Sequence, residues 1–398
     1  MAKDALRIAV VGAGIGGLTA AVALTRIAGA EVTVFEQARQ LGEVGAGIGL
    51  APNGQRGLGH LGLADAVERS AATFHGTAAY LRADGSYVSE AVIEDSAGEY
   101  RVKGIHRADL IELLADVLPG CVVRTRHRLV GVGDTGSGVD LEFDDGSRAA
   151  FDAVVGADGI HSVVRDLVTT PSTPVYSGSI AYRGVVDASR VPSDHPRTQT
   201  LWMGEGKHFL CYPVRRGELF NYVGFVRSGR PLKESWSAVG DVAELATEFA
   251  GWDPRLGAFI QAIDHTYWWG VYDRDPLPNW SRGRITLLGD AAHAMLPHAS
   301  QGLNQAIEDS VALAAFLRGA GADGVEYALQ RYESLRIERT SAVQAGSRRN
   351  GSRYDGQAEY TDTEKRDAEL RGAAEFRTWL YDYDALAAAV SASGRAAT

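Results

Sequence analysis

Short β-branched apolar runs alternate with helical patches over the first third of the chain, and residues 175–269 then turn β-rich and aromatic. Residues 8–11 form a compact apolar run of the kind a buried strand shows, followed by helical spacing over 18–28 and a second run at 32–35. Residues 58–67 predict a short helix. Residues 72–102 alternate around a turn signal at Ala83-Asp84-Gly85, which predicts antiparallel strands of a different layer. A helix is expected over 108–118, and three strands over 122–153 with turns at Asp134-Thr135-Gly136 and Asp144-Asp145-Gly146. Residues 207–214, a turn at 215–218 and residues 219–225 read as a hairpin whose alternation sets His208, Leu210, Tyr212 and Val214 on one face. A strand over 285–288 leads through a loop into a helix over 305–317. Beyond 345 the chain is polar and charged, ending in a last helix with Trp379, Tyr381 and Tyr383.

This order predicts an α/β protein with interleaved domains. Residues 1–72, 101–172 and 271–345 form a nucleotide-binding domain, 73–100 and 173–270 a β-sheet substrate domain, and 346–398 a helical C-terminal segment. At 398 residues, with 45% apolar and 23% charged positions, the chain can bury large cores. Its net charge of −10 argues against a nucleic-acid surface. Arg348 and Arg349 are expected on a solvated helix face. Cys121 and Cys211 stand far apart with no metal-ligand spacing, so a reduced setting and no metal are expected. No apolar run reaches membrane-spanning length and no signal-peptide pattern precedes the first strand, which points to the cytoplasm.

The chemistry starts at Gly12, Gly14 and Gly17, a GxGxxG between the first strand and its helix. The three glycines serve a tight turn, close approach to a pyrophosphate, and close helix–strand packing. The helix start favours a diphosphate, and Glu36, ending the second strand, can accept from an adenosine ribose. FAD and NAD both satisfy this unit. Gly42, Gly45, Gly47 and Gly49 form a second glycine-rich loop that can lie against a ligand. Arg107 opens a helix where it can meet a cofactor's polar edge. Asp158 and Arg165 can bond each other, a ribose and neighbouring backbone. The helix start near Gly302 supplies free N–H groups for an anionic edge. His208 and Tyr212, about 13 Å apart at about 3.3 Å per residue, can bracket one aromatic ring.

GAGIGG at 12–17, GADGIHSVVR at 156–165 and LLGDAAHAMLPHASQGLNQAIED at 287–309 stand in a fixed order. Together they resemble the single-component FAD-dependent aromatic hydroxylases, in the branch of the salicylate hydroxylases, 3-hydroxybenzoate 6-hydroxylases and 6-hydroxynicotinate 3-monooxygenases. The resemblance spans nearly the whole chain. It implies FAD as cofactor, NADH or NADPH and O2 as co-substrates, a flavin C4a-hydroperoxide, and hydroxylation of a small phenolic or hydroxy-aromatic carboxylate, with loss of CO2 where the carboxylate is ipso. Carried over, it assigns FAD contacts to Gly12, Gly14, Gly17, Glu36, Gln37, Gly47, Arg107, Leu129, Asp158, Asp290, Gly302, Leu303 and Asn304. His208 becomes the base and Tyr212 the orienting group, with His298 as the second candidate base. Leu210, Phe225, Met295, Leu296, Pro297 and His298 become the pocket. Pro297 stands where the 3-hydroxybenzoate enzymes carry glutamine, so substrate and ring position stay open. A homodimer is expected from the family alone. The competing readings are a flavin epoxidase or tailoring oxygenase for a larger natural product, an NAD-dependent dehydrogenase, and an FAD-binding module without turnover.

Overall fold

The computed structural model describes residues 5–42, 46–118, 123–229 and 238–394. Cys121 and Gly45 lie outside them. The first strand, Arg7–Val11, pairs in parallel with Glu31–Phe35 on one side and Ala153–Gly156 on the other, Ile8 standing opposite both Val32 and Ala153. Val123–Arg124 and Ile285–Leu287 extend this sheet in parallel, and Ser281–Arg282 closes one edge antiparallel. Ile8, Val10, Val34 and Val154 are fully buried, as strands of a sheet covered on both faces require.

The first helix starts at Ile15, earlier than the apolar spacing indicates, because extended Gly14 caps it directly after the strand. Its last turn, Leu24–Ala28, is a π-helix closed by Gly29 at φ 68°, whose N–H returns to the Leu24 carbonyl. The expected helix over 58–67 is two, Pro52–His60 and Ala64–Ser70, with left-handed Gly62 between them. Within the second glycine-rich stretch, Gly47–Leu50 is a strand pairing antiparallel with Lys103–His106, where a loop was expected.

An eight-stranded sheet forms the second layer, in the order Val239–Gly240, Thr266–Asp273, Val175–Asp187, Leu219–Arg227, Lys207–Val214, Thr200–Gly204, Ala79–Arg82, Tyr87–Glu90. One of its pairs is parallel, between Thr200–Gly204 and Ala79–Arg82, and brings the early hairpin onto the later strands. Along Lys207–Val214 the pleat sends Phe209 and Cys211 into an aromatic core under the helices Val242–Glu248 and Pro254–Gln261. His208, Leu210 and Tyr212 take the other face, toward the nucleotide-binding layer.

Helix Gly302–Leu317 begins before the expected residue 305, and Val325–Tyr354 runs unbroken for 30 residues, so the boundary expected at 345/346 falls inside one helix. Gly346 and Gly351 are what that helix needs to pack closely: a Cβ would come within 2.4 Å of Phe376 at the first and 2.6 Å of His298 at the second. Three further helices follow, Thr363–Gly372, Ala374–Tyr381 and Ala385–Ala392, in place of the one expected. Arg349 is exposed as expected, and Arg348, partly exposed, bonds both Asp273 and Asp275.

Candidate active site

A single elongated cavity of about 840 Å³ runs from the first glycine loop to the inner face of the eight-stranded sheet. At its nucleotide end Gly12 holds φ 103°, and a Cβ there would stand 2.4 Å from the Ala157 carbonyl oxygen. Gly17 faces away from the cavity, its missing Cβ replaced by the Gly12 carbonyl at 1.9 Å. Gly14 differs from both: nothing stands within 4 Å of its Cβ position, so bare backbone faces the cavity. Glu36 accepts from Ala13 N–H at 2.8 Å and Ala38 N–H at 2.7 Å, which fixes its carboxylate at the cavity edge beside Gln37.

Midway, Arg107, Leu129, Asp158 and Asp290 line the walls. Burial raises the Asp158 carboxyl above its ordinary value, although it accepts from Ser162 Oγ at 2.5 Å and from Val163 N–H at 2.8 Å. The bond expected between Asp158 and Arg165 is not formed. Asp158 turns inward on the 162–164 turn, and Arg165 donates instead to the carbonyls of Ile160 and Ala291. Gly302 and Leu303 line the cavity at the start of their helix, where backbone N–H groups lack intrahelical partners. The buried Gln301 amide nitrogen beside them has no hydrogen-bond partner. Asn304 does not line the cavity: it accepts from Ala51 N–H at 3.0 Å and donates to the Gly49 and Ser300 carbonyls, stapling the glycine strand to the helix. On the opposite side Asn221 accepts from Gly47 N–H at 2.7 Å.

At the sheet end, His208 is 1% exposed and its Nδ1 bonds Asp355 at 2.6 Å. A carboxylate only accepts, so Nδ1 carries a proton, and in the neutral ring the lone pair falls to Nε2. The His208 ring stacks on Phe225 with centroids 4.5 Å apart and meets the edges of His298 at 5.0 Å and Tyr354 at 5.4 Å. Burial, then the proximity of His208, pushes His298 well below the usual histidine value, and its buried Nδ1 has no partner. Burial also pushes the Tyr212 hydroxyl up, so it is a neutral donor or acceptor at pH 7. Leu210, Phe225, Met295, Leu296, Pro297 and His298 all line this end. Sequence reasoning missed Asp355, Tyr354, Tyr80 and Arg377, for no local motif marks them.

The cavity therefore joins an open glycine backbone and a carboxylate placed for a ribose, as a flavin dinucleotide needs, to an apolar chamber with a histidine. The family described as FAD binding domain matches residues 5–347. The chain is 41% identical to the 3-amino-4-hydroxybenzoate 2-monooxygenase of Streptomyces platensis over 354 residues, covering 87% of this chain and 88% of that one. The chain belongs to the single-component FAD-dependent aromatic hydroxylases. Another relative of this hydroxylase is the 6-hydroxynicotinate 3-monooxygenase of Pseudomonas fluorescens, 36% identical over 86% of this chain and 91% of that one. Its fold matches a salicylate hydroxylase solved as a substrate complex, with a TM-score of 0.86, 29% identity and 99% of each chain covered. FAD is the hydroxylase's cofactor. Among the described residues no helix is long and apolar enough to cross a membrane.

Proposed function

We propose that this hydroxylase acts on a small aromatic ring carrying both a hydroxyl and a carboxylate, and that His208 removes the phenolic proton. The hydrogen bond from His208 Nδ1 to Asp355 carries the reading, because it leaves Nε2 as the lone-pair nitrogen in a chamber walled by Phe225 and Leu210. The compounds for which the relatives are named, 3-amino-4-hydroxybenzoate, 6-hydroxynicotinate and salicylate, share those two ring substituents. Bound FAD, reduced by NADH or NADPH, would activate O2, one atom going to the ring and the other to water. Gly12, Gly14, Gly302 and Leu303 would hold it through backbone, with Glu36, Gln37, Arg107, Asp158 and Asp290 beside its polar edges.

The chain's own work is then positioning, proton removal and exclusion of water. Taking the phenolic proton onto Nε2 raises electron density in the ring, the more so because the Asp355 carboxylate stabilises the imidazolium that forms. Tyr212 holds the ring from the same strand face. His298, kept neutral by burial, packs against His208 and Phe225 and closes the chamber. Met295 and Leu296 help keep water from the reacting centre. A cytoplasmic setting and a homodimer complete the proposal, supported by the family resemblance alone.

The test is NADH and NADPH oxidation by the FAD-loaded protein with 3-amino-4-hydroxybenzoate, 6-hydroxynicotinate, salicylate and 3-hydroxybenzoate. One of these is expected to stimulate oxidation strongly and to yield a product one oxygen heavier, or, with loss of CO2, the corresponding diol. A flavin-loaded protein unresponsive to all four, yet active on a larger phenol, would instead establish the tailoring oxygenase.

A further inference from the structure

Beyond His208 the cavity extends past Tyr354 to Arg377, on helix Ala374–Tyr381. The stepping stones are close: the Tyr354 and Tyr80 rings lie 6.0 Å apart, and the Arg377 guanidinium sits 5.6 Å over the Tyr80 ring. Arg377 gives one Nη1 hydrogen to the Val92 carbonyl at 3.2 Å and the other to the Tyr381 hydroxyl at 3.4 Å, while Nη2 donates to the Tyr80 hydroxyl. Its Nε–H and second Nη2 hydrogen have no partner among the described residues. None of the ion pairs formed by the described residues includes it. Burial pushes the Tyr80 hydroxyl well above its ordinary value, so that hydroxyl stays neutral and cannot act as the counter-charge.

A half-buried cation in a largely apolar wall with only neutral partners is costly, and such charges are normally paired. Arg336 and Arg339 show such pairing, the first with Glu308 and Asp309 and the second with Glu308, whereas Arg284 is held by three backbone carbonyls away from the cavity. Arg377 has neither a carboxylate nor a full set of carbonyls and stands at a cavity wall, where an entering anion can complete the pair. A guanidinium's planar fork suits a carboxylate, and two N–H groups remain to bind one.

Resting on the hydroxy-aromatic reading above, we propose that Arg377, with the Tyr80 and Tyr381 hydroxyls around it, is the subsite that binds the substrate's ring carboxylate and so selects carboxylates over neutral phenols. The ring then lies between His208 at its hydroxyl and Arg377 at its carboxylate, with the Tyr354 ring along its side. The C-terminal helices, outside the nucleotide-binding layer, set substrate choice.

Calorimetric titration of the FAD-loaded protein with a hydroxybenzoate that stimulates NADH oxidation, and with the matching hydroxybenzamide, tests this. The carboxylate is expected to bind on the order of 10- to 100-fold more tightly, the span of one charge-assisted hydrogen bond. Arg377→Gln should abolish that preference by weakening the carboxylate and sparing the amide, and Arg377→Lys should restore part of it. Flavin content and far-ultraviolet circular dichroism report whether each variant is folded. Preference retained in Arg377→Gln, equal loss of both ligands in it, or no preference in the unaltered protein would each overturn the Arg377 assignment while leaving the hydroxylase reading intact. Should no aromatic bind or stimulate the unaltered protein, the substrate reading fails and this subsite with it.

Discussion

His208 and Asp355 are joined by a 2.6 Å hydrogen bond between residues 147 positions apart, one inside the eight-stranded sheet and the other capping the 30-residue helix. Asp355 is itself held, accepting from Gln357 Nε2 at 3.0 Å and giving its carbonyl to Gly206 N–H at 2.8 Å. The pair thus ties the eight-stranded sheet to the C-terminal helices and, on the proposed function, sets which histidine nitrogen would meet the substrate ring. Replacing Asp355 with alanine should lower kcat at least about tenfold with a smaller change in KM, because the base survives but loses its tautomer and orientation. His208→Ala should lower kcat by about 100-fold or more. Steady-state kinetics of the two variants and the double variant checks this, and the double should be little worse than His208→Ala alone.

The glycines of the first loop should separate by phenotype. Gly17→Ala drives a Cβ onto the Gly12 carbonyl and should destabilise the apoprotein by about 1–3 kcal/mol, read as a lower thermal midpoint without FAD. Gly14→Ala meets nothing and keeps an ordinary φ of −67°, so the apoprotein midpoint should hold while FAD affinity falls.

Two buried histidines give the fold an acid sensitivity. Burial, then Arg255, lowers His195 from 6.5 to about 4, and burial and His208 lower His298 well below 6.5. The unfolded chain therefore binds more protons than the folded one, so this stability is complete above about pH 6.5 and is lost as pH falls toward 4. Thermal midpoints should drop from pH 7.5 to pH 5, and by less in His195→Gln.

At helix Gly302–Leu317, Arg336 bonds Glu308 at 2.6 Å and Asp309 at 2.8 Å, and Asp309 also accepts from His293 at 2.6 Å. Arg336→Met leaves buried carboxylates short of a partner and should cost about 3–5 kcal/mol in chemical unfolding.

Much of the nucleotide half was legible because its signals are local: strand, three glycines, helix and Glu36 follow within one unit, and the hairpin carrying His208 and Tyr212 shows its alternation directly. Elements decided by distant partners were not. Gly47–Leu50 is glycine-rich and becomes a strand only by pairing with Lys103–His106 and bonding Asn221. Gly346 and Gly351 look like helix breakers and instead admit Phe376 and His298 against an unbroken helix. The polar stretch after 345 hides Asp355 and Arg377, whose importance lies in what stands across the cavity. The Asn304 side chain holds the glycine strand, a contact that no local motif marks.

The central claim, that His208 takes the phenolic proton, is tested most directly by the ultraviolet difference spectrum of the bound substrate, recorded against pH in the FAD-loaded protein and in His208→Asn. The phenolate band is expected to appear on binding at a pH below the free phenol's own ionisation, and to be absent at that pH in His208→Asn while the ligand still binds. A phenolate band of equal size in both proteins, or a bound ligand that stays protonated in the unaltered enzyme through its active pH range, would contradict it.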